Sequence, residues 1–315
     1  MLRFERPSFL KSFLMDLPYP PSWLRSPGAG DHELDAACVA GAALALFHGA
    51  AGADLPGRGV WLDRQALRAA VFCCAAAGRR EGEPDIRDAV HMTPTGENPG
   101  PAGRLYGFWR EAARRSPELD DDKISAGRRL LGLSPSTADD LVAIARELAA
   151  GDRVGMVAAV ELTARFATLP AEAEPFALWL ADIVLARRSG WPITVPLFAC
   201  ALQRPRGGVG RLVRQEPDTW RREVLAGIAA AALEGLAHAQ DLAARARRLA
   251  AAVPRLRAKG AEPLLAALLE RDAVAPATPM PTMTARSRRR LFDRLVGLGL
   301  VRELTGRPTF RLYGL

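Results

Sequence analysis

The sequence predicts a mainly α protein: a helical body followed by a small C-terminal module. Apolar residues recur at helical spacing almost without a break from Leu34 onward. Alternating strand patterns are nearly absent until the last fifteen residues. With 315 residues, 49% of them apolar, the chain can build one large domain or two, each with a real core.

Taken in order, residues 1–30 hold several prolines and glycines around short apolar pieces and read as an irregular arm. They lack the charged start, apolar stretch and small-residue cleavage site of a secretory signal, so a cytoplasmic location is expected. The body, residues 31–258, opens with alanine-rich helices over Asp35–His48 and Asp63–Ala77. Its most apolar run, Ala36–Ala51, is short and interrupted by Gly41 and His48, which predicts a buried helix and no membrane span. A short helix near Ile86 and the turn-rich TPTGENPGPAG, Thr93–Gly103, lead to a helix over Leu105–Arg115 with an aromatic face. Ser116–Ser134 is a charged connection with a short helix. Thr137–Ala149 is expected to be capped by Ser136 or Thr137. Helices over Val154–Thr168 and Glu174–Arg188, the apolar segment Trp191–Cys200 and a loop at Arg204–Gly210 follow. A very long helical pattern, Asp218–Val253, then runs to a hinge at Leu256–Gly260.

The net charge is +8, but only three of the 43 basic residues are lysines (Lys11, Lys123, Lys259). An arginine and alanine excess of this kind reflects coding bias as well as function, so local clustering weighs more than global charge. Cys38, Cys73, Cys74 and Cys200 form no CxxC pair and read as buried, reduced thiols; no metal and no cofactor is expected. His91 lies near Asp85, Asp88 and Glu97, where an acid–base pair competes with a loop-packing role. RPRGGVGR, Arg204–Arg211, lacks the Gly-Lys-Ser/Thr ending of a phosphate loop and reads as a mobile basic loop. Arg245–Gly260 holds six basic residues and no acid, either as added phosphate contacts or as a solvated helix end.

The module, residues 259–315, carries a leucine stripe over Glu262–Val274, then a proline-rich APATPMPTM that blocks helix. Thr284 can cap a second helix, Ala285–Leu298, with Gly299 as its left-handed end. LVREL and TFRLY are short alternating segments joined by TGRP, a hairpin turn. Helix, turn, helix and hairpin is the winged-helix order. At about 100° per residue, Leu291, Phe292, Leu295, Val296 and Leu298 share an inward face. Arg286, Arg290, Asp293 and Gly297 stand opposite, Arg289 and Arg294 on the flanks, and Arg288 nearer the buried side. An N-terminal half rich in outward arginines is what a recognition helix presents to a major groove. Arg286, Arg289, Arg290 and Arg294 are therefore candidate DNA contacts, with Arg307 at the wing tip. The prolines before the second helix leave room for one short turn where a DNA reader usually has another helix.

A helical body, long helix, linker and C-terminal winged helix ending in LVRELTGRPTFRLY resembles bacterial Fic-domain proteins. More closely, NPGPAGRLYGFWR, WLADIVLARRSGWP and the tail make the whole chain resemble an uncharacterised bacterial domain-of-unknown-function family with no established activity. The Fic motif HPFxxGNGRxxR falls on EPFALWLADIVLARR, where Pro175 and Phe176 match. Glu174 stands at the catalytic histidine. Trp179, Leu180 and Ala181 replace the anion-binding Gly-Asn-Gly turn, Asp182 the first arginine and Leu185 the second. The inhibitory SSxIEG motif of many Fic proteins falls on VFCCAAAG, with Cys73 and Cys74 on the serines, Ala77 on the glutamate and Gly78 on the glycine. The resemblance thus implies a Fic-like body whose catalytic base, phosphate cradle and inhibitory glutamate are all lost.

The expected function is a non-enzymatic regulator or accessory factor that contacts double-stranded DNA, the body serving dimerisation as a homodimer or effector sensing. Two alternatives stay open. One is a protein-interaction module, with Arg286 and Arg290 covered by acids. The other is an enzyme with a rebuilt pocket near His91 or Glu174.

Overall fold

The computed structural model describes residues 17–25, 32–94, 96–166, 169–202, 216–256, 260–280, 282–306 and 309–315. Most of the N-terminal arm and the Arg204–Arg211 loop lie outside the described residues. The protein is mainly α. The helices are α1 Ser22–Arg25, α2 Glu33–Gly52, α3 Arg58–Ala76, α4 Glu83–Met92, α5 Gly100–Ala112, α6 Asp121–Leu131 and α7 Asp139–Ala150. They continue as α8 Gly155–Thr163, α9 Glu174–Arg188, α10 Phe198–Ala201, α11 Pro217–Leu256, α12 Glu262–Glu270 and α13 Ala285–Gly297. The strands β1 Arg302–Glu303 and β2 Tyr313–Gly314 pair antiparallel, Arg302 opposite Gly314 and Glu303 opposite Tyr313. Backbone contacts divide the chain into two units, one of Pro18–Gly52 and Gln65–Leu236, the other joining Ala53–Arg64 to Ala237–Leu315.

The larger unit is organised around α9. Every residue from Pro175 to Ala186 is buried, so this helix is apolar on all sides and needs neighbours on all sides. α6, α7, α8 and α10 supply them. Trp179 meets Phe108 edge-to-face and Phe176 at a tilt, each with ring centroids 5.6 Å apart. α6 reaches Trp179 only because position 127 is glycine: a Cβ there would lie 2.6 Å from the indole ring. One ionisable group sits inside this helix. Asp182 is fully buried, and its Oδ1 accepts hydrogen bonds of 2.9 Å from the backbone N–H groups of Leu197 and Phe198, which start α10.

Three expectations need correction. Ala36–Ala51 is helical but only half-buried. Ala36, Ala40, Ala43, Phe47, Ala50 and Ala51 face inward, while Leu34, Cys38, Ala45 and His48 are exposed. Among the described residues it is the one helix long and apolar enough to cross a membrane, with 39% of its window buried. Alanine on every side removes the contrast from which an inner face could be read, and the exposed Cys38 is not the buried thiol expected. Second, α5 begins at Gly100, inside the predicted turn, because Pro101 occupies its first turn, where a missing N–H costs nothing. Third, neither Ser136 nor Thr137 caps α7. The cap is Ala138 in a left-handed conformation, φ 61°. Arg128 holds that turn, donating to the carbonyls of Thr137 (2.9 Å) and Pro135 and to the Asp139 carboxylate (2.6 Å). These bonds offset the roughly 1–2 kcal/mol that an L-residue loses in this conformation.

In the other unit, α12 stops at Glu270, four residues before the predicted end, because long-range bonds take the backbone over. Arg64 pairs with Asp272 (2.9 Å), the Asp272 N–H donates to the Asp63 carboxylate (3.2 Å), and Val274 bridges to Tyr313. Arg64 also donates to the Leu315 carbonyl (2.7 Å). Leu264, Leu265 and Leu268 of α12 and Leu291, Phe292 and Leu295 of α13 fill the core, with Phe292 stacked on Tyr313 at 4.4 Å.

Two outcomes follow for stability. Gly127→Ala is expected to lose about 1–3 kcal/mol in urea unfolding, because overpacking against Trp179 outweighs the gain in helix propensity of about 1 kcal/mol. Full burial pushes the Asp182 carboxyl well above the usual carboxylate range, outweighing the two N–H donors. Its protonated form is therefore favoured in the folded state. That contribution is complete below the unfolded-state value near pH 4 and is lost as pH rises through the folded value. Asp182→Asn, which keeps an acceptor oxygen, should flatten the decline of the unfolding midpoint above pH 4.

Candidate nucleic-acid interface

The side chain of Thr284 accepts from the N–H of Ser287 (3.2 Å) and starts α13. Gly299, φ 64°, ends it. Its N–H bonds to the Val296 carbonyl (2.8 Å), and the next N–H, of Leu300, bonds to Leu295 (2.9 Å), which makes a Schellman cap. With both ends fixed, the phase of the helix decides what each arginine does.

Arg286, Arg289 and Arg290 are exposed. No hydrogen bond or ion pair engages them among the described residues, so no acid covers Arg286 or Arg290. Arg288 behaves differently. At about 100° per residue it falls between Leu295 and Phe292, the middle of the inward face. It is buried, and its guanidinium donates to the carbonyls of Pro276 (2.8 Å) and Met283 (2.7 Å). It therefore holds the proline-rich segment against α13.

Arg294 is also engaged. It donates to the carbonyl of Leu256 (2.6 Å), the last residue of α11, while Arg248 of α11 donates to Gly299 just beyond α13 (3.4 Å). Each helix thus provides a cation for the other's C-terminal end, where the dipole favours it. Val296 and Leu298, expected inward, are exposed at 40% and 53%. Val296 lies on the edge of the apolar arc, and Leu298 is the terminal cap, past the last packed turn. Arg307 lies outside the described residues.

The other candidate centre falls in the larger unit. Glu174 is the first residue of α9 and half-buried, while Pro175 and Phe176 are buried, Phe176 carrying the Arg128 guanidinium 5.4 Å above its ring. Trp179, Leu180 and Ala181 form an unbroken buried turn of helix, with no loop there to bind an anion. Glu174 lines a pocket of about 430 Å³ that also holds Cys73 and Ala77. Its stretch and VFCCAAAG, a hundred residues apart, thus meet in space. Burial pushes the Cys73 thiol up, despite the Trp109 Nε1–H donated to its sulfur (3.4 Å), and pushes Cys200 to about 12. Neither is a ready nucleophile. His91 lies in the last turn of α4 and is not among the residues that line that pocket.

Sequence reasoning passed over Arg64, Arg128 and Asp272. Arg64 and Asp272 are 208 residues apart, and nothing in local spacing joins them.

A family model described as "Protein of unknown function (DUF1403)" matches residues 10–315. No curated protein matches the chain. Neither finding bears on the resemblance to Fic proteins.

The arginines of α13 can be separated by stability alone. Arg288→Ala removes a buried guanidinium and leaves two part-buried carbonyls without its donors, and is expected to lose about 1–3 kcal/mol in thermal or urea unfolding. Arg289→Ala should stay within about 0.5 kcal/mol of the parent. Equal losses for the two would contradict the assignment of inner and outer faces.

Proposed function

We propose that this chain, which belongs to the DUF1403 family, is a non-enzymatic regulator or accessory factor that contacts double-stranded DNA through α13. The observation that carries this reading is the division among the arginines of one helix. Arg286, Arg289 and Arg290 stay exposed and unengaged on its N-terminal half, while Arg288 and Arg294 are committed to the fold. Three arginines with no ion pair among the described residues, on a short, capped helix that carries one exposed acid, Asp293, suit phosphates and the major groove.

The surrounding order supports a winged helix. α12, the Val274 bridge, α13 and the β1–β2 hairpin follow one another, and Val274 pairs with the same residue of β2, Tyr313, that pairs with β1. The turn that replaces the usual intermediate helix is tied down by Arg288, which compensates for its shortness. A Fic-like body without catalysis accords with Glu174 in place of a histidine and with the unbroken α9. A homodimer would place two such helices on one duplex. Exposed Val296 and Leu298 on α13 favour the second reading, a protein-contact module.

Fluorescence anisotropy of the full chain with duplex DNA between 50 and 200 mM salt distinguishes them. On the DNA reading, log affinity falls linearly with log salt. The triple change Arg286→Ala, Arg289→Ala, Arg290→Ala lowers the slope by about 0.9 for each phosphate contact removed. Absence of salt-sensitive affinity at low ionic strength sinks it.

A further inference from the structure

The pocket beside Glu174 has no part in DNA contact, yet it is built like a site for a small molecule. Its volume, about 430 Å³, lies within the range of roughly 300–1,000 Å³ that such sites occupy. Phe72 and Ala76 of α3, Leu105 of α5, Leu131 of α6 and Leu178 of α9 supply apolar wall from four helices. Four charged side chains complete the lining: Arg79, Arg104, Glu172 and Glu174.

These charges differ in how far they are committed. Arg79 is paired with Glu81. Glu174 is half-buried and engaged within the protein. Arg104 and Glu172 are exposed and have no partner among the described residues. The pocket therefore offers one free cation and one free carboxylate beside an apolar wall. A ligand with a single charge satisfies one and faces its like at the other. A ligand with both signs satisfies both, and an apolar body gains from the wall. The chemistry on offer is binding: the one thiol in the lining is Cys73, whose burial keeps it protonated.

We infer that this pocket binds a small zwitterion with an apolar body, an apolar amino acid or a dipeptide of two such residues, its carboxylate on Arg104 and its ammonium on Glu172. The inference is independent of DNA contact and stands or falls separately from it.

Isothermal titration of the full chain tests it with L-leucine, L-phenylalanine and leucyl-phenylalanine, then with the N-acetyl and C-amide forms of whichever binds. One zwitterion is expected to saturate at one site per chain, and the one that does identifies the source, free amino acid or dipeptide. Each blocked form should bind about three- to tenfold more weakly, the scale of one charge-assisted contact at a partly open rim. Arg104→Gln should abolish the discrimination against the amide alone, and Glu172→Gln the discrimination against the acetyl form alone. Both positions are exposed, so folding is not at stake. Ala77→Trp, at an exposed lining position, should fill the pocket and abolish binding. Three results each overturn the inference: no saturable binding by any of the three zwitterions, blocked forms that bind as well as the parent, or both discriminations surviving the two substitutions.

Discussion

The larger unit depends on one constraint, a helix with no outward face. Twelve successive residues of α9 are buried, so its partners must surround it, and the helices on either side in sequence do so. The constraint reaches into the chemistry. A turn that cradles phosphate needs free N–H groups and small residues, and at Trp179–Ala181 this chain is mid-helix, with its N–H groups bonded internally and an indole where such a turn would open. Asp182 is the exception that fixes the arrangement. Its two acceptor bonds tie the end of an irregular segment to the middle of the buried helix, at the cost of an ionisable group held away from water. Apolar packing alone would position that segment loosely; two directed bonds give it a register.

The smaller module is held by guanidinium groups where a protein of different composition would use apolar contacts or caps. Arg64, Arg288 and Arg294 each bind backbone carbonyls, and Arg64 an acid as well. Five donors in a rigid plane suit this task, because one side chain can satisfy two carbonyls that point in different directions. Lysine, with a single ammonium on a flexible stem, does so poorly. A composition that looks like coding bias is thus also put to structural use. The same residue type then serves two ends on one helix, and only the phase of that helix separates them.

The features read correctly from sequence are those set by local physics. The helical character, the Thr284 cap, the Gly299 terminus and the inward turn of Arg288 all follow from periodicity and backbone preference. The errors arise where distant groups decide. α12 ends early because Asp63 and Arg64, two hundred residues upstream, engage Asp272. The α7 cap is an alanine in a conformation alanine avoids, because Arg128 secures the turn from another helix. An alanine-rich helix such as α2 has no polar side from which exposure could be read. The pocket beside Glu174 shows the same division: Cys73, Ala77 and Glu174 stand out in the sequence, but only the fold brings Arg104 and Glu172 to the same pocket.

The sorting of arginines on α13 also changes what the formal charge of +8 means. A guanidinium held by backbone carbonyls keeps its charge but is less free to reach a phosphate. Three unengaged arginines face outward on this helix, from Arg286 to Arg290 over about 6 Å of axis at about 1.5 Å per residue, with the exposed Asp293 one turn further on. Duplex DNA presents a charge about every 1.7 Å, so one such helix spans only a few phosphates. Its grip is therefore short in footprint and low in ionic valence, suited to a contact made and broken quickly.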